Sequence, residues 1–159
     1  LQLSEDEYWM REALRFASEA EAQGEVPVGA VLVENGEMVA YGLNQSISTH
    51  DPCGHAEVAC LRKAGLEKQN YRLIGSTLYV TLEPCPMCAG ALVHARVQRV
   101  VYGASDLKTG AAGSVLQLLQ SEYLNHQVEL TAGVLEAECR QQIQAFFKNR
   151  RIAAKKNKS

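Results

Sequence analysis

Two short clusters constrain this chain more than anything else in it: His55-Ala56-Glu57, and Pro84-Cys85-Pro86-Met87-Cys88, with 27 residues between Glu57 and Cys85. Each stands where a helix is expected to begin, so a fold that uses both must bring two helix N-termini to one point. Two cysteines three apart in a first helical turn can converge on one metal, while backbone N–H groups and the helix dipole stabilise their thiolates. One imidazole and two thiolates suit zinc and leave the fourth tetrahedral position open, as in catalytic rather than structural sites. Glu57 lies about 200° around a helix from His55, poorly placed to chelate beside it. It can still reach a water in the open position, whose pKa zinc lowers to about 7, and take and return protons there. Two other readings use the same residues. One is a structural zinc knuckle with Cys53, His50 or His94 as fourth ligand; the other is a thioredoxin-type redox pair, which leaves His55 and Glu57 unexplained.

The pattern along the chain supplies those helix starts. Ser4 with Glu7 forms a capping box, and Met10, Ala13, Leu14, Ala17 and Ala20 recur at helical period, predicting an amphipathic helix over residues 4–22 ended near Gly24. A β-branched run at 28–33, the Asn35-Gly36 dipeptide and residues 38–41 predict an antiparallel hairpin. Residues 43–54 read as a loop delivering the chain to His55, and residues 55–64 as a helix stopped by Gly65. A strand over 77–82 runs into Glu83-Pro84-Cys85, where a short helix begins. Residues 99–104 are strand-like, 105–114 a glycine-bearing loop, 115–119 a short helical segment and 128–131 a last strand. Leu135, Cys139, Ile143, Phe146 and Phe147 describe a terminal helix to about Arg151, with the basic end trailing off it. Helices alternating with short strands predict an α/β fold, one mixed sheet with helices on both faces and helix N-termini along one edge, where such proteins hold ligands. Nothing divides the chain, so residues 1–151 are expected to form a single domain and residues 152–159 a basic tail.

Composition bounds the rest. A chain of 159 residues, 47% of them hydrophobic and 21% charged, can bury its own core. Its longest apolar stretch, residues 26–33, is far below the roughly 20 residues a membrane span needs. Ser4, Glu5, Asp6 and Glu7 stand where a signal peptide carries basic and then apolar residues, so a cytoplasmic protein with no membrane partner is expected. Five cysteines, an odd number without an export signal, argue against a disulfide framework, and Cys60 and Cys139 read as buried thiols. The net charge of −2 conceals a division: residues 1–37 hold nine acids and two bases, residues 38–139 nine acids and seven bases, and residues 140–159 seven bases and no acid. That basic end is a candidate contact for phosphates, and equally a solvated terminus.

His-x-Glu followed by Pro-Cys-x-x-Cys is the established signature of the zinc nucleobase deaminases. Longer strings narrow the match: Thr81-Leu82-Glu83-Pro84-Cys85-Pro86-Met87-Cys88-Ala89-Gly90-Ala91, Glu25-Val26-Pro27-Val28-Gly29-Ala30, Asn70-Tyr71-Arg72-Leu73 and Lys108-Thr109-Gly110-Ala111-Ala112-Gly113-Ser114. With them the chain closely resembles the bacterial tRNA-specific adenosine deaminases from about Glu7 to Arg151. It departs from that family at Ser46 and Cys53, in the loop over residues 45–53.

The resemblance implies a homodimer with a three-layer α/β/α cytidine-deaminase-like fold, a central mixed five-stranded sheet and one zinc ion per subunit. It implies hydrolytic conversion of adenosine to inosine at the wobble (first anticodon) position of an arginine tRNA. His55, Cys85 and Cys88 would ligate zinc. Glu57 would carry the proton from the zinc water to N1 of adenine and then to the leaving ammonia, while hydroxide attacks C6. Asn44 would hydrogen-bond the flipped base and Val28 line its pocket. Asp106 and Lys108 would touch the neighbouring nucleotides, and Phe147 and Arg151 the anticodon loop. Taken alone, Asn44 and Asp106 read as turn formers and Phe146 and Phe147 as core. A base in an anticodon loop is already partly unstacked, so extruding it costs less than extruding a paired one. The alternatives are a deaminase of a small substrate such as guanine, cytosine or a deoxynucleotide, and a non-catalytic zinc-dependent RNA-binding module.

Overall fold

The computed structural model describes residues 2–158, with side chains from Glu5 to Asn157. Helix α1 (Gln2–Ala22) leads into a hairpin of β1 (Gly29–Glu34) and β2 (Glu37–Leu43). Asn35 and Gly36 turn it with φ of 53° and 75°, the left-handed pair that matches the twist of the flanking strands. Then follow α2 (Ala56–Lys68), β3 (Thr77–Leu82), α3 (Pro86–His94), β4 (Arg99–Ala104), β5 (Glu129–Ala132) and α4 (Glu136–Lys158). The five strands form one mixed sheet in the order β2-β1-β3-β4-β5. β1 runs antiparallel to β2 and β3, whereas β3, β4 and β5 are mutually parallel.

Strand alternation sorts the core into two layers. Ala30, Leu32, Leu78, Val80 and Val100 point to the face covered by α2 and α3, with Cys60, Ala64, Ala89 and Leu92 above them. Val31, Val33, Tyr79 and Val101 point to the other face, where Met10, Ala13 and Phe16 of α1 and Cys139 of α4 lie. The result is the expected three-layer α/β/α sandwich. Two strand glycines set how closely the helices sit: a Cβ on Gly29 would lie 2.2 Å from the Ala13 carbonyl of α1, and one on Gly42 2.1 Å from the Ala56 carbonyl of α2. Asp6 of α1, almost fully buried, ties that helix to the sheet through two hydrogen bonds from Arg99 (2.9 and 2.7 Å) and one from the Tyr79 hydroxyl (2.9 Å).

Four elements differ from the sequence expectation. Helix α1 begins at Gln2, ahead of the expected capping box, and the Ser4 side chain of that box lies outside the described residues. Helix α2 runs through Gly65 and ends at Gln69, which takes the left-handed conformation (φ 50°) and donates its backbone N–H to Leu66. One interior glycine costs a helix only about 1 kcal/mol, so Gly65 does not stop it. Residues 115–119 form no helix: Val115 and Leu116 donate their N–H groups to Gly110, Leu118 donates to Ala111, and Ala112 bridges Gln117. Helix α4 continues through the expected tail to Lys158, where nothing in residues 152–158 breaks it. Among the described residues, no helix is long and apolar enough to cross a membrane.

Candidate active site

Register places the site. Gly29 opposite Leu43, Ala30 opposite Val80 and Leu82 opposite Ala104 put the start of β1 and the ends of β2, β3 and β4 along one edge of the sheet. From that edge the chain enters α2 through His55 and α3 through Cys85. Both residues are N-caps in extended backbone, with φ/ψ of −81°/155° and −76°/172°. His55 therefore stands outside the helix, and the 200° separation from Glu57 that a continuous helix would impose does not apply. Pro86 at the first position of α3 has no N–H to leave unpaired, which suits a helix start that must also present Cys85 and Cys88.

The metal-ligating atoms of His55, Cys85 and Cys88 all lie within 4.8 Å of one another. His55 Nδ1 is 3.5 Å from Cys85 Sγ and 3.4 Å from Cys88 Sγ. Tetrahedral zinc, at about 2.0–2.1 Å from nitrogen and about 2.3 Å from sulfur, requires N···S edges of about 3.5 Å, so the donor set fits that ion. Charge points the same way. Cys85 is pulled down to about 4, first by its hydrogen bond with Cys88 and then by His55, against burial. The hydrogen bond to Cys85, with burial and the Glu57 charge, pushes Cys88 up. Two thiolates this close need a divalent cation to coexist. The hydrogen bond to Cys85 raises His55 in turn. Cys53, His50 and His94, the alternative fourth ligands, do not join the cluster, and Cys53 is exposed. Three donors with no fourth among the described residues are the open set rather than the closed knuckle.

Glu57 is buried beside this cluster, close enough to Cys88 for their charges to interact, yet outside the ligand set. Burial pushes its carboxyl up to about 7, partly opposed by its own backbone N–H and by His55. A carboxyl poised there is able both to take and to give a proton at neutral pH. Val28 and Asn44 meet at the same edge, where the Asn44 N–H donates to the Val28 carbonyl (3.1 Å). Both are buried, and the Asn44 amide has no side-chain hydrogen bond among the described residues.

The remaining expected contacts lie on the loop after β4 and on α4. Both carboxylate oxygens of Asp106 accept bonds within their own loop, Oδ1 from the N–H groups of Lys108 (3.0 Å) and Thr109 (3.2 Å) and Oδ2 from the Thr109 hydroxyl (2.9 Å). Asp106 thus shapes the loop and presents Lys108 to solvent. On α4, Phe147 and Arg151 are exposed, and Phe147 meets Phe146 edge-on at 5.4 Å. Two buried acids, quoted above only within longer strings and given no role there, hold loops at this edge. Glu25, fully buried, accepts from the backbone N–H groups of Ile47 (3.1 Å) and Ser48 (2.6 Å) in the loop before His55. Glu83, two residues before Cys85, accepts four bonds from residues 106–114. The available signal was an acid between apolar neighbours, as in Leu82-Glu83-Pro84.

An α/β/α sandwich with an imidazole and two thiolates at its sheet edge and a buried carboxyl beside them defines a metal-dependent deaminase. The chain matches the family of cytidine and deoxycytidylate deaminase zinc-binding regions over residues 3–104 and belongs to it. Within that class it belongs with the tRNA-specific adenosine deaminases. It is 52% identical over 155 residues to the tRNA-specific adenosine deaminase of Haemophilus influenzae, covering 97% of this chain and 90% of that protein. To the Bacillus subtilis protein of the same name it is 48% identical over 160 residues, covering 99% of each. Among solved structures it resembles one from a study of A-to-I editing by tRNA:A34 deaminases at the wobble position of transfer RNA, with a TM-score of 0.82 and 39% identity over 85% of this chain and 98% of that one. A guanine deaminase from Bacillus subtilis superposes less fully, with a TM-score of 0.62 over 67% of this chain and 69% of that one at 38% identity.

Proposed function

We propose that this protein hydrolyses adenosine to inosine at the first anticodon position of an arginine tRNA, with one zinc ion per subunit held by His55, Cys85 and Cys88. The observation that carries the reading is the open three-donor cluster with Glu57 buried beside it. Full-length identity to tRNA-specific adenosine deaminases supports the tRNA substrate. Held by His55, Cys85 and Cys88, zinc would supply a nucleophile at neutral pH by lowering the pKa of a water to about 7. Glu57 would take the proton released and deliver it to N1 of the adenine as C6 becomes tetrahedral, then take the proton of the hydroxyl now on C6 and pass it to the departing amine, which leaves as ammonia. Asn44 orients the extruded base through its uncommitted amide, and Val28 closes one side of the pocket. Lys108 meets the phosphate backbone beside the target from a loop that Asp106 shapes, and Phe147 and Arg151 meet the anticodon loop by stacking and by charge.

A homodimer fits the outer face of α2 and α3, where Leu66 and Tyr71 are 80% and 75% exposed beside an apolar hollow lined by Leu61, Leu73 and Ala91. A cytoplasmic location follows from the substrate. The test is incubation with an arginine tRNA carrying adenosine at the first anticodon position, followed by mass spectrometry of the nucleosides. Inosine should form, and should vanish with Glu57→Ala while zinc stays bound. Deamination of free guanine or cytosine with the tRNA untouched would overturn the assignment, and activity that survives Glu57→Ala would remove the glutamate from the chemistry.

A further inference from the structure

Residues 105–114 belong to no helix or strand, yet both ends of the segment converge on one side chain. Glu83 is 2% exposed, and among the described residues it forms no ion pair. Its Oε1 accepts from the N–H of Asp106 (3.0 Å) and from the Ser114 hydroxyl, and its Oε2 from the N–H groups of Ala112 (2.9 Å) and Ser114 (3.1 Å). The adjoining Pro84 carbonyl accepts from the Ala111 N–H (2.8 Å). The loop backbone lies directly on the carboxylate, since a Cβ on Gly110 would stand 2.5 Å from Oε1. The exposed tip left outside this clasp is Leu107, Lys108 and Thr109.

We propose that Glu83 is a positioning residue for RNA recognition: it clamps the 105–114 loop to the turn carrying Cys85, holding the loop's nucleotide-facing tip in register with the metal ligands. Glu83 is buried and its four hydrogen bonds all come from residues 106–114, so it acts through the loop. This inference rests on the tRNA reading above. Glu83→Gln keeps the volume but turns one accepting oxygen into an NH2 group that faces two donors. Buried donors left without acceptors destabilise the clasped loop.

The experiment uses the full-length zinc-loaded protein, an anticodon stem-loop with adenosine at the first anticodon position, and amide exchange at Asp106, Ala112 and Ser114. With Glu83→Gln, zinc content should be unchanged, exchange at the three amides faster, and KM for the stem-loop raised about tenfold with kcat within about threefold, as expected for weakened binding rather than impaired chemistry. Glu83→Asp, which keeps both oxygens, should recover part of the KM. Ser114→Ala, which removes one hydroxyl at an exposed position, should raise KM by about threefold and leaves the test intact if Glu83→Gln folds poorly. A fall in kcat at unchanged KM, loss of zinc, or unaltered amide exchange would overturn the proposal. If the wild-type protein leaves the stem-loop untouched, the tRNA reading fails. Amide exchange then decides the clamp by itself: faster in Glu83→Gln supports it, unchanged refutes it.

Discussion

Replacing Gly42 with alanine should take apart the metal site without touching a ligand. A Cβ at Gly42 would stand 2.1 Å from the Ala56 carbonyl oxygen and 2.6 Å from the Cys60 nitrogen, both in the backbone of α2. Relaxed contacts of this kind need about 3.4 Å, so the first turn of α2 must lift by about 1 Å. His55 and Glu57 ride on that turn, whereas Cys85 and Cys88 ride on α3, so the imidazole moves away from the sulfurs it now approaches at 3.4–3.5 Å. Ligand distances tolerate about ±0.2 Å, and a misplacement near 1 Å costs on the order of 10²-fold in rate. Zinc affinity and kcat/KM should each fall about a hundredfold, with a loss of about 1–3 kcal/mol in stability from overpacking. Gly29→Ala is the matched control: its Cβ would meet the Ala13 carbonyl at 2.2 Å and the Ala17 nitrogen at 2.6 Å, an equal clash against α1 on the face that carries no ligand. Chelator competition for zinc and urea denaturation, run on both variants, give the answer. Equal zinc affinity in the two would refute the argument that the seating of α2 sets the metal geometry.

Three further outcomes are expected. Glu57→Gln should keep its zinc, measured by metal analysis, and lose about 10²–10⁴ in kcat, the usual share of one acid–base group; loss of zinc instead would make Glu57 a ligand. In Glu25 burial favours the neutral acid, but the N–H groups of Ser48 and Ile47 outweigh it and hold the carboxyl below its ordinary 4.5. Its contribution is therefore present above that value and lost as pH falls through the lower folded pKa. Glu25→Gln should cost about 1–3 kcal/mol at pH 7, and the gap between the denaturation midpoints of the two proteins should shrink as pH falls below 4.5. Truncation after Phe147 removes Lys148, Arg150, Arg151, Lys155, Lys156 and Lys158. It should raise the tRNA KM and shrink the slope of log affinity against log salt by about 0.7–0.9 for each phosphate that is no longer neutralised; an unchanged slope would show that this arm neutralises none.

Much of the fold was legible because local signals and tertiary structure agree. The Asn35-Gly36 turn, the β-branched runs at 77–82 and 99–104, and the spacing of α1 each state their element in a few residues. Residues 115–119 were misread because their N–H groups bond to Gly110 and Ala111 rather than within a helix, a choice that no short window contains. The extent of α2 was misread because a glycine is a weak stop when the turn beyond it can close on a left-handed residue such as Gln69.

The donor set was written in the sequence by itself: two thiols three apart, an imidazole and a carboxyl two residues beyond it, each at a helix start, specify a chemistry before any coordinates. What the tertiary structure alone decided is how those groups meet. His55 reaches the sulfurs because it caps α2 in extended backbone instead of joining the helix. Glu57 stands near neutrality because the fold buries it, and Glu25 and Glu83 hold the surrounding loops because their hydrogen-bond donors come from residues 22 to 31 positions away. Spacing along a chain carries residue types and local geometry; burial and long-range hydrogen bonds exist only once the strands have brought distant segments to one edge.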